Sequence, residues 1–132
     1  LDYRLTRMPH YIKRRRHIAK CYREGLNDLE NVICPPNDRN DGGKNLDVYQ
    51  NFEIRTENRE QLKRHLDECE IETMVPWGGR AVHHLTAFTG AKNHLKNADL
   101  VFAQNLYLPM YVTLKHDEVD FIISSIRSFY LS

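Results

Sequence analysis

The segment Pro76-Trp77-Gly78-Gly79-Arg80-Ala81-Val82-His83-His84 gathers the chain's single tryptophan, two adjacent glycines, an arginine and two histidines. An arginine suits a phosphate, because its planar guanidinium can donate two parallel hydrogen bonds to it. A tryptophan offers a flat face on which a sugar or base can stack. Glycines let a backbone approach a ligand closely, and loops held by a rigid scaffold are where such binding groups concentrate. The same residues also describe an ordinary turn whose tryptophan covers the core and whose histidines are merely exposed. The pattern alone supports both readings.

Other candidate chemistry is weaker. His83 and His84 are neighbours, which on a helix would aim their rings in different directions, and His94 follows eleven residues after His83. No cysteine or acidic residue stands at a ligand spacing from them, whereas a structural zinc site shows close pairs of ligands. No metal site is expected. Cys21, Cys34 and Cys69 form no pair of redox or metal spacing, which reads as a reduced, cytoplasmic thiol set, with Cys34 and Cys69 as small core residues. No nucleophile arrangement or phosphate-cradling glycine loop stands out, and Asp117-Glu118 open a helix, where its dipole favours them. The run Lys13-Arg14-Arg15-Arg16, with Lys20 and Arg23, is the densest charge cluster. An apolar stripe continues through it, so it reads as the solvated face of an amphipathic helix rather than a nucleic-acid contact.

Composition agrees. Nineteen basic residues against eighteen acidic ones leave a net charge of +1, which argues against a dedicated nucleic-acid binder. No apolar run approaches the roughly 20 residues of a membrane span, and the opening residues are too charged for a signal peptide. With 132 residues, 41% of them apolar, the chain fits one domain with a core of its own. It opens at Leu1, straight into an apparent helix with no cap before it, and is therefore expected to be a fragment of something longer.

Hydrophobic spacing then gives the elements that must carry the loop. Leu5, Met8, Ile12, Ala19, Tyr22 and Leu26 recur at helical steps over Asp2 to Leu26, with Pro9 a candidate kink and Gly25 and Asn27 a stop. Four short strands are predicted, at Leu29 to Cys34, Val48 to Ile54, Ile71 to Val75 and Leu106 to Leu108, with a polar loop from Asn37 to Asp47. Thr56 or Asn58 caps a helix that buries Leu62, Leu66 and Cys69. Ala81 to Phe88 suggests a helical turn. Asn97 to Asn105 is a helix with Ala98, Val101 and Phe102 inward, and Asp117 to Tyr130 is the last. The order α-β-β-α-β-α-β-α predicts an α+β fold, a small, mainly antiparallel sheet with helices packed on it.

Several stretches, in order, resemble the C-terminal part of the DegT/StrS-type pyridoxal-phosphate sugar-nucleotide aminotransferases. They are Met8-Pro9-His10-Tyr11-Ile12-Lys13-Arg14-Arg15-Arg16-His17-Ile18-Ala19 with Tyr22 and Leu26, the strand Val48 to Arg55, Asn58 to Leu62, and Ile71-Glu72-Thr73. His83 ahead of Phe88, Leu106 to Tyr111 and Ile126 to Tyr130 complete the set. The resemblance implies a small domain like that of fold-type I aminotransferases. The missing partners would be a large domain, which carries pyridoxal phosphate and its Schiff-base lysine, and the second subunit of a homodimer. On this reading no residue of this chain is catalytic or binds the cofactor, and the chain alone is inactive. Trp77, Arg80, His83 and Tyr49 would meet a nucleotide sugar that receives its amino group, usually from glutamate. Glu70, Gln50 and Trp77-Gly78-Gly79 depart from the family's usual Gly, His and Tyr-Pro. A free-standing ligand-binding or regulatory module is the competing expectation.

Overall fold

The structure, a computed structural model, describes residues 2–36, 46–88 and 95–131. Most of the predicted loop from Asn37 to Asp47 lies outside them, as does His94. The elements are α1 (Asp2–Leu26), β1 (Phe52–Arg55), α2 (Arg59–Glu68), α3 (Lys96–Gln104), β2 (Asn105–Leu108) and α4 (His116–Leu131). Three 3₁₀ turns, at Pro76–Gly79, Val82–His84 and Thr86–Phe88, stand between α2 and α3. The α+β class holds. Among the described residues no helix is long and apolar enough to cross a membrane.

The sheet is smaller than predicted. β1 and β2 pair antiparallel with Phe52 opposite Leu108 and Ile54 opposite Leu106. The other two predicted strands shrink to single bridges, Ile33 to Arg55 and Met74 to Tyr107. Their apolar residues have other work. Leu29 and Val32 fold back on the end of α1 through hydrogen bonds to the carbonyls of Leu26 and Leu29, and Pro35-Pro36 removes the donors a longer edge would need. At the other edge, Ile71 closes the C-terminus of α2. Its N–H reaches the Leu66 carbonyl at 2.8 Å while Glu70 N–H reaches that of Asp67 at 3.0 Å, a Schellman arrangement with Leu66 and Ile71 both buried. Glu70 accordingly holds φ at +60°, the conformation that a glycine adopts freely.

The core lies where the C-terminal half of α1, the inner face of the sheet and α4 meet. Tyr22, Leu26, Phe52, Ile54, Leu62, Leu66, Leu106 and Ile126 are fully buried, each contributing about 1.5–3 kcal/mol by area. Tyr22 also donates its hydroxyl to the Pro109 carbonyl at 2.9 Å, and burial pushes its phenol pKa up. Gly25 belongs to the helix rather than stopping it. A Cβ there would lie 2.7 Å from Ile123 Cγ2, so the glycine sets how closely α1 and α4 approach. Arg127 of α4 clamps the same junction, donating to the Gly25 carbonyl at 2.9 Å and to both Asp28 carboxylate oxygens at 2.6 and 2.8 Å.

Other local expectations shift as well. Pro9 sits within α1 without dividing it. Asn58 is the N-cap of α2, but it is the Thr56 hydroxyl that accepts a hydrogen bond there, from Asn58 N–H. Ala98, Val101 and Phe102 of α3 are only half-buried. All three cysteines are half-buried at the core's edge, and burial pushes the Cys34 thiol up to about 11. The basic face of α1 is less solvated than predicted. Arg14 donates to the Leu114 carbonyl, Arg16 to that of Asp47 at 3.2 Å, and Arg23 to the Tyr49 hydroxyl at 2.6 Å.

Candidate functional site: the loop from Pro76 to His84

The loop leaves the sheet at Met74, which exchanges backbone hydrogen bonds with Tyr107 of β2 at 2.8 and 3.2 Å. Pro76 is buried, and then three residues in succession turn left-handed: Trp77 (φ 55°), Gly78 (φ 62°) and Gly79 (φ 73°). Two of the three are glycines, which enter this region at little cost. Trp77 bears a cost of about 1–2 kcal/mol. The residue is nevertheless 81% exposed, so its ring does not plug the core, and nothing within the described chain offsets the strain by burial. Arg80 follows, extended and exposed.

The chain is caught again immediately afterwards. Ala81 is buried, and the turn Val82–His84 faces α3. His83 Nε2 lies 2.6 Å and His84 Nε2 2.7 Å from the same oxygen, Oδ1 of Asp99. The two rings, predicted to point apart, converge with centroids 4.3 Å apart. The short turn, entered from extended backbone at Ala81, leaves both rings within reach of the one Asp99 carboxylate on α3. The hydrogen bonds from His83 and His84 hold the Asp99 carboxyl below the usual carboxylate range, against a smaller opposing effect of burial.

Arg59 supports the loop from below. Its guanidinium would lie 3.5 Å from a Cβ on Gly79, donates to the Phe102 carbonyl of α3 and pairs with Glu60 at 2.6 Å. Trp77 and Arg80 are thus carried between two fixed points, the bridge to β2 and the contact with α3. Arg59 and Asp99 were not picked out from sequence. Asp99 stands sixteen residues from His83, and no local periodicity links them.

Tyr49 lies elsewhere. Its ring is buried against Phe52, its hydroxyl accepts from Arg23 at 2.6 Å, and its N–H donates to Asp47 Oδ1 at 2.7 Å. Trp77 and Arg80 are exposed on the loop, His83 turns to Asp99, and Tyr49 lies in the core.

Two grooves flank these elements. One, of about 780 Å³, runs between Glu70–Met74, Tyr107–Tyr111 and the start of α4. Glu70, Glu72, Asp117 and Glu118 line it, a charge that repels phosphate. The other, of about 540 Å³, is bounded by Met8, Tyr11, Ile12, Arg15, Val48 and Val112, on the half of α1 where Leu5 and Met8 are exposed. Neither groove is lined by a lysine. Lys20 pairs with Glu24, Lys63 pairs with Asp67, and Lys13, Lys96 and Lys115 are exposed.

Residues 1–127 match the DegT/DnrJ/EryC1/StrS aminotransferase family. The chain is 28% identical to the dTDP-3-amino-3,4,6-trideoxy-alpha-D-glucose transaminase of Micromonospora megalomicea subsp. nigra, over 94% of this chain and 34% of that protein. Among solved structures it resembles DesV of S. venezuelae in complex with a ketimine intermediate, with a TM-score of 0.89 and 27% identity over 99% of this chain and 35% of DesV. It is also similar to a DegT DnrJ EryC1 StrS aminotransferase from Brucella abortus, with a TM-score of 0.86 and 27% identity over 100% of this chain and 34% of that one. The chain thus spans about a third of the length of the relatives it matches.

Proposed function

Since this chain belongs to the DegT/DnrJ/EryC1/StrS aminotransferase family, we propose that it is the small, C-terminal domain of a sugar-nucleotide aminotransferase, and that its loop from Pro76 to His84 meets the nucleotide sugar. The complete enzyme transfers an amino group, from glutamate, to a keto-sugar attached to a nucleotide. Pyridoxal phosphate, held by a large domain, supplies the electron sink for that chemistry.

The observation that carries the reading is the exposure of Trp77 and Arg80 on a loop fastened at both ends. Arg80 is free to make a two-pronged contact with phosphate oxygens, where charge-assisted hydrogen bonds are strongest. Trp77 stacks on a flat sugar or base face, and contact there offsets the strain of its left-handed backbone. His83, fixed by Asp99, offers a polar edge to the sugar. Tyr49, also expected from sequence at the sugar, serves through its grip on Arg23 to hold the chain entering β1. The acidic groove does not compete for the phosphates. The bare half of α1, with Met8, Tyr11 and Ile12 along its groove, is the face that the large domain covers, and the active site forms with a second subunit.

The test joins this chain to its cofactor-binding domain. The complete protein is expected to carry the visible absorbance of bound pyridoxal phosphate and to aminate a nucleotide-linked keto-sugar with glutamate as donor, while the 132-residue chain alone gives neither. Turnover by the chain alone would overturn the proposal, and so would a complete enzyme that aminates free keto-acids but no nucleotide sugar.

A further inference from the structure

We propose that His83, His84 and Asp99 form a transition-metal site, a set of two imidazoles and one carboxylate that takes Zn²⁺ and leaves one coordination position open. The three side chains come from two separate elements, the 3₁₀ turn Val82–His84 and the first turn of α3. Their ligand atoms all lie within 4.8 Å of one another. Both Nε2 atoms already point at one oxygen, at 2.6 and 2.7 Å. Zinc bonds of about 2.0 Å in a tetrahedral set place neighbouring ligand atoms about 3.3 Å apart. The two N···O distances therefore need to lengthen by about 0.6 Å to admit the ion, a movement within reach of side-chain torsions on an exposed turn.

The donor set selects the ion. Two imidazoles with a carboxylate suit zinc, cobalt and nickel rather than magnesium or calcium, which prefer all-oxygen shells. The side chains of His84 and Asp99 are each 41% exposed, so an ion can enter from solvent, and the fourth position takes water or an anionic oxygen, as in zinc sites with three protein ligands. Without metal, each Nε2 carries the proton it donates to Asp99. On binding, that proton moves to Nδ1 of a neutral ring or, from a doubly protonated ring, leaves to solvent, while the Nε2 lone pair goes to the ion. This site does not rest on the nucleotide-sugar reading, since its ligands are all within this chain.

The experiment titrates the 132-residue chain with Co²⁺, followed by visible absorbance, and then displaces the cobalt with Zn²⁺. Saturation near one equivalent is expected. Asp99→Asn and His84→Ala, each with an unchanged far-ultraviolet circular dichroism spectrum, are expected to weaken binding at least ~10-fold, by analogy with the loss of even outer-shell partners. His10→Ala, on the exposed part of α1, is expected to bind as the parent does. In the unmutated chain Zn²⁺ should shield His83 and His84 from diethyl pyrocarbonate, read by mass spectrometry. Absence of saturable binding, equal affinity in both ligand variants, or unshielded His83 and His84 at saturating zinc would each overturn the site.

Discussion

Ile18, Ala19, Tyr22 and Leu26 at one end of α1 are at most 1% exposed, whereas Trp77 shows 81% of its surface to solvent. Both regions contain residues in tight places. At the α1–α4 junction a missing Cβ at Gly25 lets two helices touch, and the resulting contacts are all internal. At the loop, three left-handed residues in a row lift an aromatic ring away from the protein. The first arrangement gains its stability from burial. The second holds about 1–2 kcal/mol of backbone strain at Trp77 without burial of its side chain to offset it. On the proposed reading of the loop, stability and recognition chemistry lie in separate places in this chain.

The largest effect that sharpens this contrast belongs to the core. Tyr22→Ala removes a fully buried ring and its hydrogen bond to Pro109, and should cost about 3–5 kcal/mol in urea unfolding. A loss below about 1 kcal/mol would mean that the core packs elsewhere. A smaller effect, of opposite sign, is expected at the Schellman cap. Glu70→Gly relieves the positive φ of Glu70 and should raise stability by about 0.5–1 kcal/mol, the strain relieved less the entropy glycine adds to the unfolded chain. If the substitution destabilises, the cap is not in this conformation. The smallest effect belongs to the loop. Trp77→Ala should leave stability within about 0.5 kcal/mol of the parent, and a larger loss would show that the ring is packed after all, erasing the contrast.

The sequence carried the two regions unequally. Apolar residues at helical steps located α1 and α4 within a residue or so of their ends, because the buried face of a long amphipathic helix repeats regularly. Leu29 to Cys34 and Ile71 to Val75 read as strands because short apolar runs do not reveal whether they pair or cap. In the structure they fold back on α1 and close α2. The loop's composition marked it as unusual, yet its geometry was out of reach. The convergence of His83 and His84 depends on Asp99, sixteen residues away from His83, and the direction of Trp77 depends on a left-handed turn that local spacing does not encode. The basic residues of α1 misled for the same reason, since Arg14 finds its acceptor 100 residues away in sequence and Arg16 finds its own 31 residues away.

Steady-state kinetics of Arg80→Ala in the complete enzyme test most directly whether the exposed loop serves the nucleotide sugar. Losing a charge-assisted contact of about 1.5–3 kcal/mol should raise the Michaelis constant for the nucleotide sugar by ~10-fold or more, by the equivalence of about 1.4 kcal/mol to a factor of ten. Cofactor absorbance and the half-reaction with glutamate should stay at parental values. A wild-type Michaelis constant in both Arg80→Ala and His83→Ala, at unchanged stability, would return the loop to a structural turn.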